Sequence, residues 1–330
     1  MHVQPDRFDT VLHDRLLLSY VALPLRLPPT VWEAAEKSYH SLCSALTDPK
    51  NPDYKVYWTQ GHACDTALDF LLLLNESKEA HAFAGIALDA YKRGSDANWY
   101  DDYGWWGLCA LRIGSDVLFF GPLAFEFNGV AKNCWNVMRN KAPKVWENAK
   151  NNPAWKNYEP RYSGGVWNSD WKSDGCDPAA ATLCGFQNTV TNGLFLLLAT
   201  RMGIQGDASA AALAAQEYDF LRRWFTADKD PNNPRTDPVL NQYAERKAAI
   251  RERVSAYSKT SPSNVNEYRP TLTWAGDQGL LLGGSVDRLR MLNPGTHEYE
   301  EVLGVSRDLI AGVEYLVCLL YTSDAADVLR

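Results

Sequence analysis

Gln187-Asn-Thr-Val-Thr-Asn-Gly-Leu-Phe-Leu-Leu-Leu-Ala-Thr-Arg-Met202 sets Val190, Leu194, Leu197, Leu198 and Met202 three and four residues apart. That spacing winds them onto one face of an α-helix, whereas a half-buried strand would need strict alternation. Working outward, the same spacing predicts helices over 31–46, 65–74, 80–92, 103–113, 131–139, 208–226, 237–257, 278–291 and 299–316. Sustained period-two alternation is almost absent. Helix hairpins therefore follow one another at intervals of very roughly 50 residues, joined by loops rich in Gly, Pro, Asn and Asp and without a domain-parting linker. The expectation is a single all-α toroid of helix hairpins.

Composition narrows the function. A chain of 330 residues with 46% hydrophobic content can fill a large core without staples. Its net charge of −7 argues against nucleic acid, whose binders need a basic face. The longest apolar runs, such as Leu71 to Leu74 and Leu194 to Leu198, fall far short of the roughly 20 residues of a membrane span. Residues 16–25 have the length of a signal-peptide core, but acidic residues precede them and no small-residue cleavage site follows. Seven cysteines without paired C-x-x-C spacing predict no zinc site. They read as buried thiols ahead of a Cys176–Cys184 bridge. Histidines are few and scattered, and there is no G-x-G-x-x-G or phosphate loop, so neither metal nor cofactor is expected. Cys318 to Asp327 reads like a translated sequencing adapter; residues 318–330 are expected to be non-native, leaving 1–317 as the catalytic toroid, truncated at its C-terminal side.

The chemistry concentrates in Trp99-Tyr-Asp-Asp-Tyr-Gly-Trp-Trp-Gly-Leu-Cys109, where two carboxylates stand at the mouth of an aromatic-rich helix. Glycoside hydrolysis needs one carboxyl as acid and a second as nucleophile or base. Neighbours near a helix start hold their carboxyls within roughly 5 to 7 Å, which suits a retaining enzyme. The helix N-terminus favours ionisation while two like charges drive one pKa up, so Asp101 and Asp102 can divide the labour. A plain capping role is the alternative. Eight of the twelve tryptophans lie between Trp99 and Trp171, and sugar rings pack on indoles. Trp167, after Gly164 and Gly165 in the long irregular stretch 151–185, is expected to face ligand. Gln187, Asn188 and Asn192, and Asp277 with Gln278, are further candidates for sugar hydroxyls.

These segments resemble glycoside hydrolase family 76, the endo-α-1,6-mannanases. Asp101-Asp102-Tyr-Gly-Trp105-Trp106, Gly164-Gly-Val-Trp167, Gln187 to Leu198 and Thr273-Trp-Ala-Gly-Asp-Gln-Gly279 follow the family's order over roughly residues 55 to 290. The resemblance implies an (α/α)6 barrel, retaining cleavage of α-1,6-mannan, Asp101 as nucleophile, Asp102 as acid/base, and no metal or organic cofactor. It also implies action outside the cytoplasm. Tyr103, Trp106, Trp167, Gln187, Asn188, Asn192, Asp277 and Gln278 would line the sugar subsites of a monomer acting on a polysaccharide. Asp277 stands where the family pattern has Asn, and the stretch 173–183 departs from it. Mannan transglycosylation and noncatalytic glycan binding are the alternative functions; sugar epimerisation would need grouped histidine bases.

Overall fold

In the computed structural model the Asn188 side chain accepts the Thr191 N–H at 3.2 Å, a polar cap on the helix Thr189–Ile204. That helix is apolar around nearly its whole circumference, and a helix without a polar side must be enclosed. The fold is arranged around it. The structure describes residues 29–74, 77–94, 99–144, 164–169, 187–226, 249–250, 252–255 and 274–321.

Among the described residues ten α-helices follow in order: α1 (Pro29–Thr47), α2 (Tyr57–Leu74), α3 (Ser77–Arg93), α4 (Tyr100–Ser115), the single turn α5 (Val117–Phe120), α6 (Leu123–Lys141), α7 (Thr189–Ile204), α8 (Ala208–Thr226), α9 (Ala275–Leu289) and α10 (His297–Tyr321). Four of them, α3, α4, α6 and α9, carry an acid in the first turn and a base in the last. In α3, Glu79 sits in the first turn and Lys92 and Arg93 in the last, matching the macrodipole.

Glycines set how closely the central helices approach. A Cβ on Gly104 of α4 would stand 2.7 Å from Leu194 Cβ of α7, and one on Gly107 2.9 Å from Leu198 Cδ2. A Cβ on Gly193 of α7 would meet Leu280 Cβ of α9 at 2.7 Å, and Gly284 of α9 is filled in the same way by Leu196. Leucines thus enter gaps that only glycine leaves open, at the density of a protein interior. Residue numbers rise together along each seam, so these helices run parallel. Gly61 against Trp105 and Trp106, and Cys64 joined to Cys109 by a disulfide, place α2 parallel to α4. The row α2, α4, α7, α9 forms the inner layer, while α1, α3, α6, α8 and α10 pack along its outer side. One continuous core joins the layers, with Trp106, Trp135, Trp224, Phe127 and Phe195 among its largest members.

Two departures from the sequence reading have physical causes. Helix α2 begins at Tyr57 instead of residue 65, because Gly61 and the polar Thr59, Gln60 and His62 interrupt the apolar period of its first turns. The helix expected over 237–257 is not formed where the structure describes it. Strand β2 (Arg253–Ser255) pairs antiparallel with β1 (Gln187–Asn188), and Gln278 takes up the backbone of Ile250, so tertiary partners replace the helical ladder. Most of that stretch lies outside the described residues, as do Cys176, Cys184 and most of 151–185. The Cys64–Cys109 link runs against the expectation of free thiols; Cys134 is buried and free. Residues 318–321 continue the backbone of α10, and 322–330 lie outside the described residues. No described helix is long and apolar enough to cross a membrane.

Candidate active site

Because the inner helices are parallel, the N-termini of α2, α4, α7 and α9 open at one end of the row. That end carries Tyr57, Asp101, Asp102, Asn188 and Asp277. Two extended segments border it. Residues 164–169 run beside the start of α4, where the Tyr100 N–H donates to Asn168 O at 2.6 Å and Trp99 pairs with Ser169. Residues 249–250 and 252–255 run beside the starts of α7 and α9, where the Thr189 N–H donates to Glu252 O at 2.6 Å.

Amides hold both segments. Asn192 accepts the Val166 N–H at 2.8 Å and donates to Val166 O at 2.9 Å and Asn188 O at 2.7 Å. Gln187 donates to Gly164 O at 2.7 Å. Gln278 accepts the Ile250 N–H at 2.7 Å and donates to Ile250 O at 2.6 Å. The turn at Gly164 and Gly165 has φ of 86° and 70°, and any Cβ on Gly165 would run into the Phe220 ring. Gln187, Asn188, Asn192 and Gln278, read from sequence as sugar contacts, therefore spend amide groups on the backbone that shapes the site.

Asp101 and Asp102 occupy the first turn of α4. Asp101 is half-buried, with Oδ1 enclosed and without a hydrogen-bond partner. Burial pushes its pKa up to about 6, against backbone N–H groups of residues 101 and 102 that favour the charge. Asp102 is buried, and desolvation together with the neighbouring Asp101 charge raises it further, to about 8. Near neutral pH the pair holds one carboxylate and one carboxylic acid, an unequal division suited to acid–base work. Asp277, in the first turn of α9, is fully buried with neither carboxylate oxygen hydrogen-bonded; burial and then Glu252 raise its pKa to about 7. Tyr57 Oη, Ser169 Oγ and Thr191 Oγ1 at this end are likewise enclosed without hydrogen-bond partners. A buried polar atom left unpaired costs about 1–3 kcal/mol, and comparable atoms lie elsewhere, among them Glu217 Oε1, Tyr218 Oη and Ser285 Oγ.

The aromatic expectations shift by one residue. Trp106 is fully buried and donates from Nε1 to Tyr57 O at 2.9 Å, and Trp167 is only 3% exposed. Tyr103 is buried edge-on to Tyr57, with ring centroids 5.9 Å apart. All three are members of the buried core. Trp105, one residue earlier and 100° round the helix, is half-buried on the inner side, where its ring meets His62 at 4.9 Å. Trp58, Trp99 and Trp274, none of them in the sequence-derived set, stand exposed at the starts of α2, α4 and α9. Among the described residues no group of three His, Cys, Asp or Glu is arranged to hold a metal.

Among solved structures the chain is similar to a GH76 α-mannanase from Bacteroides thetaiotaomicron, with a TM-score of 0.50 and 10% identity over 86% of this chain and 70% of that one. This chain shares the α/α-barrel fold. No family model matches the sequence, and no curated protein matches it. In that fold the parallel row α2, α4, α7, α9 is part of the barrel's inner ring, with the carboxylate pair at the end where its N-termini open.

Proposed function

We propose that this protein is a retaining glycoside hydrolase that cleaves α-1,6-mannosidic bonds, with Asp101 as nucleophile and Asp102 as acid/base. The observation that carries the reading is the pair itself: adjacent carboxyls in one helical turn, with Asp102 held more basic than Asp101. The ionised Asp101 attacks the anomeric carbon as the glycosidic C–O bond breaks, and the departing oxygen takes the Asp102 proton. The Asp102 carboxylate then removes a proton from water, which attacks the same carbon and releases Asp101. Two displacements preserve the anomeric configuration. The fold supports a glycan substrate, and the linkage follows from the sequence resemblance.

The test is incubation with debranched α-1,6-mannan. Native protein should release oligosaccharides whose first-formed reducing ends are α-configured by NMR, and Asp101→Asn and Asp102→Asn should each lose at least about a thousandfold in kcat. Transfer to an added acceptor sugar in place of water would mark a transglycosylase using the same pair. A folded native protein that releases nothing from any mannan would sink the hydrolase reading.

A further inference from the structure

Two stripes of side chains meet along the seam between α2 and α4. On α2, Trp58, His62, Asp65 and Asp69 recur at four, three and four residues; on α4, Asp101, Trp105, Leu108 and Arg112 recur at the same intervals. The contacts join them rung by rung. His62 stands edge-on to Trp105 at 4.9 Å, and Arg112 bridges Asp65 at 2.7 Å and Asp69 at 2.5 Å. Because the helices are parallel, the rung one turn above His62–Trp105 is Trp58 with Asp101. The upper rungs are open: Trp58 is 49% exposed, and His62 is exposed beside the half-buried Trp105.

We infer that Trp58, His62 and Trp105 form a sugar-binding subsite adjoining Asp101, with Trp58 as the platform for one pyranose ring of the glycan. This rests on the proposed glycosidase reading and adds a subsite to it. The surface fits a pyranose better than a protein or a lipid. An indole face and an imidazole lie above an ion-paired rung, so apolar and hydrogen-bonding groups alternate along one wall. A pyranose likewise carries an apolar C–H face within a rim of hydroxyls. The stripe is also continuous with the carboxylate at which the bond would be cut, so a ring resting on Trp58 belongs to the same bound chain. Trp58 lies at the second position of α2 and is absent from the buried core, so its removal should leave that core intact.

The experiment measures calorimetric binding of α-1,6-mannobiose, mannotriose and mannotetraose to the full chain carrying Asp101→Asn, with Trp58 intact, as Trp58→Phe and as Trp58→Ala. Turnover is measured in parallel with Asp101 restored. Trp58→Ala should weaken binding at least tenfold and raise KM by a similar factor with kcat changed little, while Trp58→Phe keeps most of the affinity. Unchanged melting temperatures would show that the loss is local. Equal binding by the Trp58→Ala and parent proteins would overturn the subsite while leaving the glycosidase reading standing. Binding that depends on Trp58 in a native protein that cleaves nothing would keep the subsite and remove the hydrolase. No binding to any of the three sugars would overturn the subsite outright.

Discussion

Asp101 and Asp102 differ in acidity although they are neighbours, and this difference predicts the pH profile. The proposed mechanism needs Asp101 ionised and Asp102 protonated, so kcat/KM should rise through about pH 6 and fall through about pH 8. Asp102→Asn should abolish the turnover that defines the upper limb. The same burial carries a stability consequence of definite sign. Asp102 has a folded pKa above its unfolded value of about 3.9, so the folded chain holds a proton the unfolded chain has lost, and stability falls as pH rises between those values. Asp102→Asn should therefore stabilise the fold at pH 8 by about 1–3 kcal/mol and bring no gain near pH 4, as read by urea denaturation. At this scale the sequence showed the carboxylate pair, because adjacency needs no tertiary knowledge. It did not separate Trp105 from Trp106, because only the neighbouring helices decide which of two adjacent indoles meets the core. It named Asn192 and Gln278 as candidates for sugar hydroxyls but not their clamping of the Val166 and Ile250 backbone, which only the folded chain brings within reach.

Helix seams carry the next level of argument. Gly104 and Gly85 are both helical glycines, yet their surroundings give alanine opposite effects. A Cβ at Gly85 meets nothing within 4 Å, so Gly85→Ala should gain about 0.5–1 kcal/mol from helix propensity. At Gly104 the added methyl confronts Leu194 Cβ, close to the backbone and unable to swing aside, so Gly104→Ala should lose about 1–2 kcal/mol net. Denaturation midpoints of the two variants, measured side by side, check both signs. Helix existence was legible from apolar spacing at most of these elements. Starts were not: α2 and α6 each begin eight residues before their apolar period becomes visible. Residues 250 and 252–255 were misread because their hydrogen bonds go to β1 and Gln278, which lie far away in sequence.

For the whole molecule, the hairpin-after-hairpin order already implied an α/α toroid, and the parallel inner row is how that order appears in space. What periodicity could not convey is the register between inner helices, which follows from the glycine–leucine contacts and places all four N-termini at one level. The two flanks of the site are fastened by different means. Across the α2–α4 seam run a disulfide and the Arg112 ion pairs, whereas the borders at 164–169, 249–250 and 252–255 are held by hydrogen bonds from side-chain amides and from neighbouring backbone. A covalent tie resists separation more stiffly than exchangeable hydrogen bonds. If the cleft takes a glycan as proposed, the α2–α4 flank is the covalently tied wall against which that chain would rest.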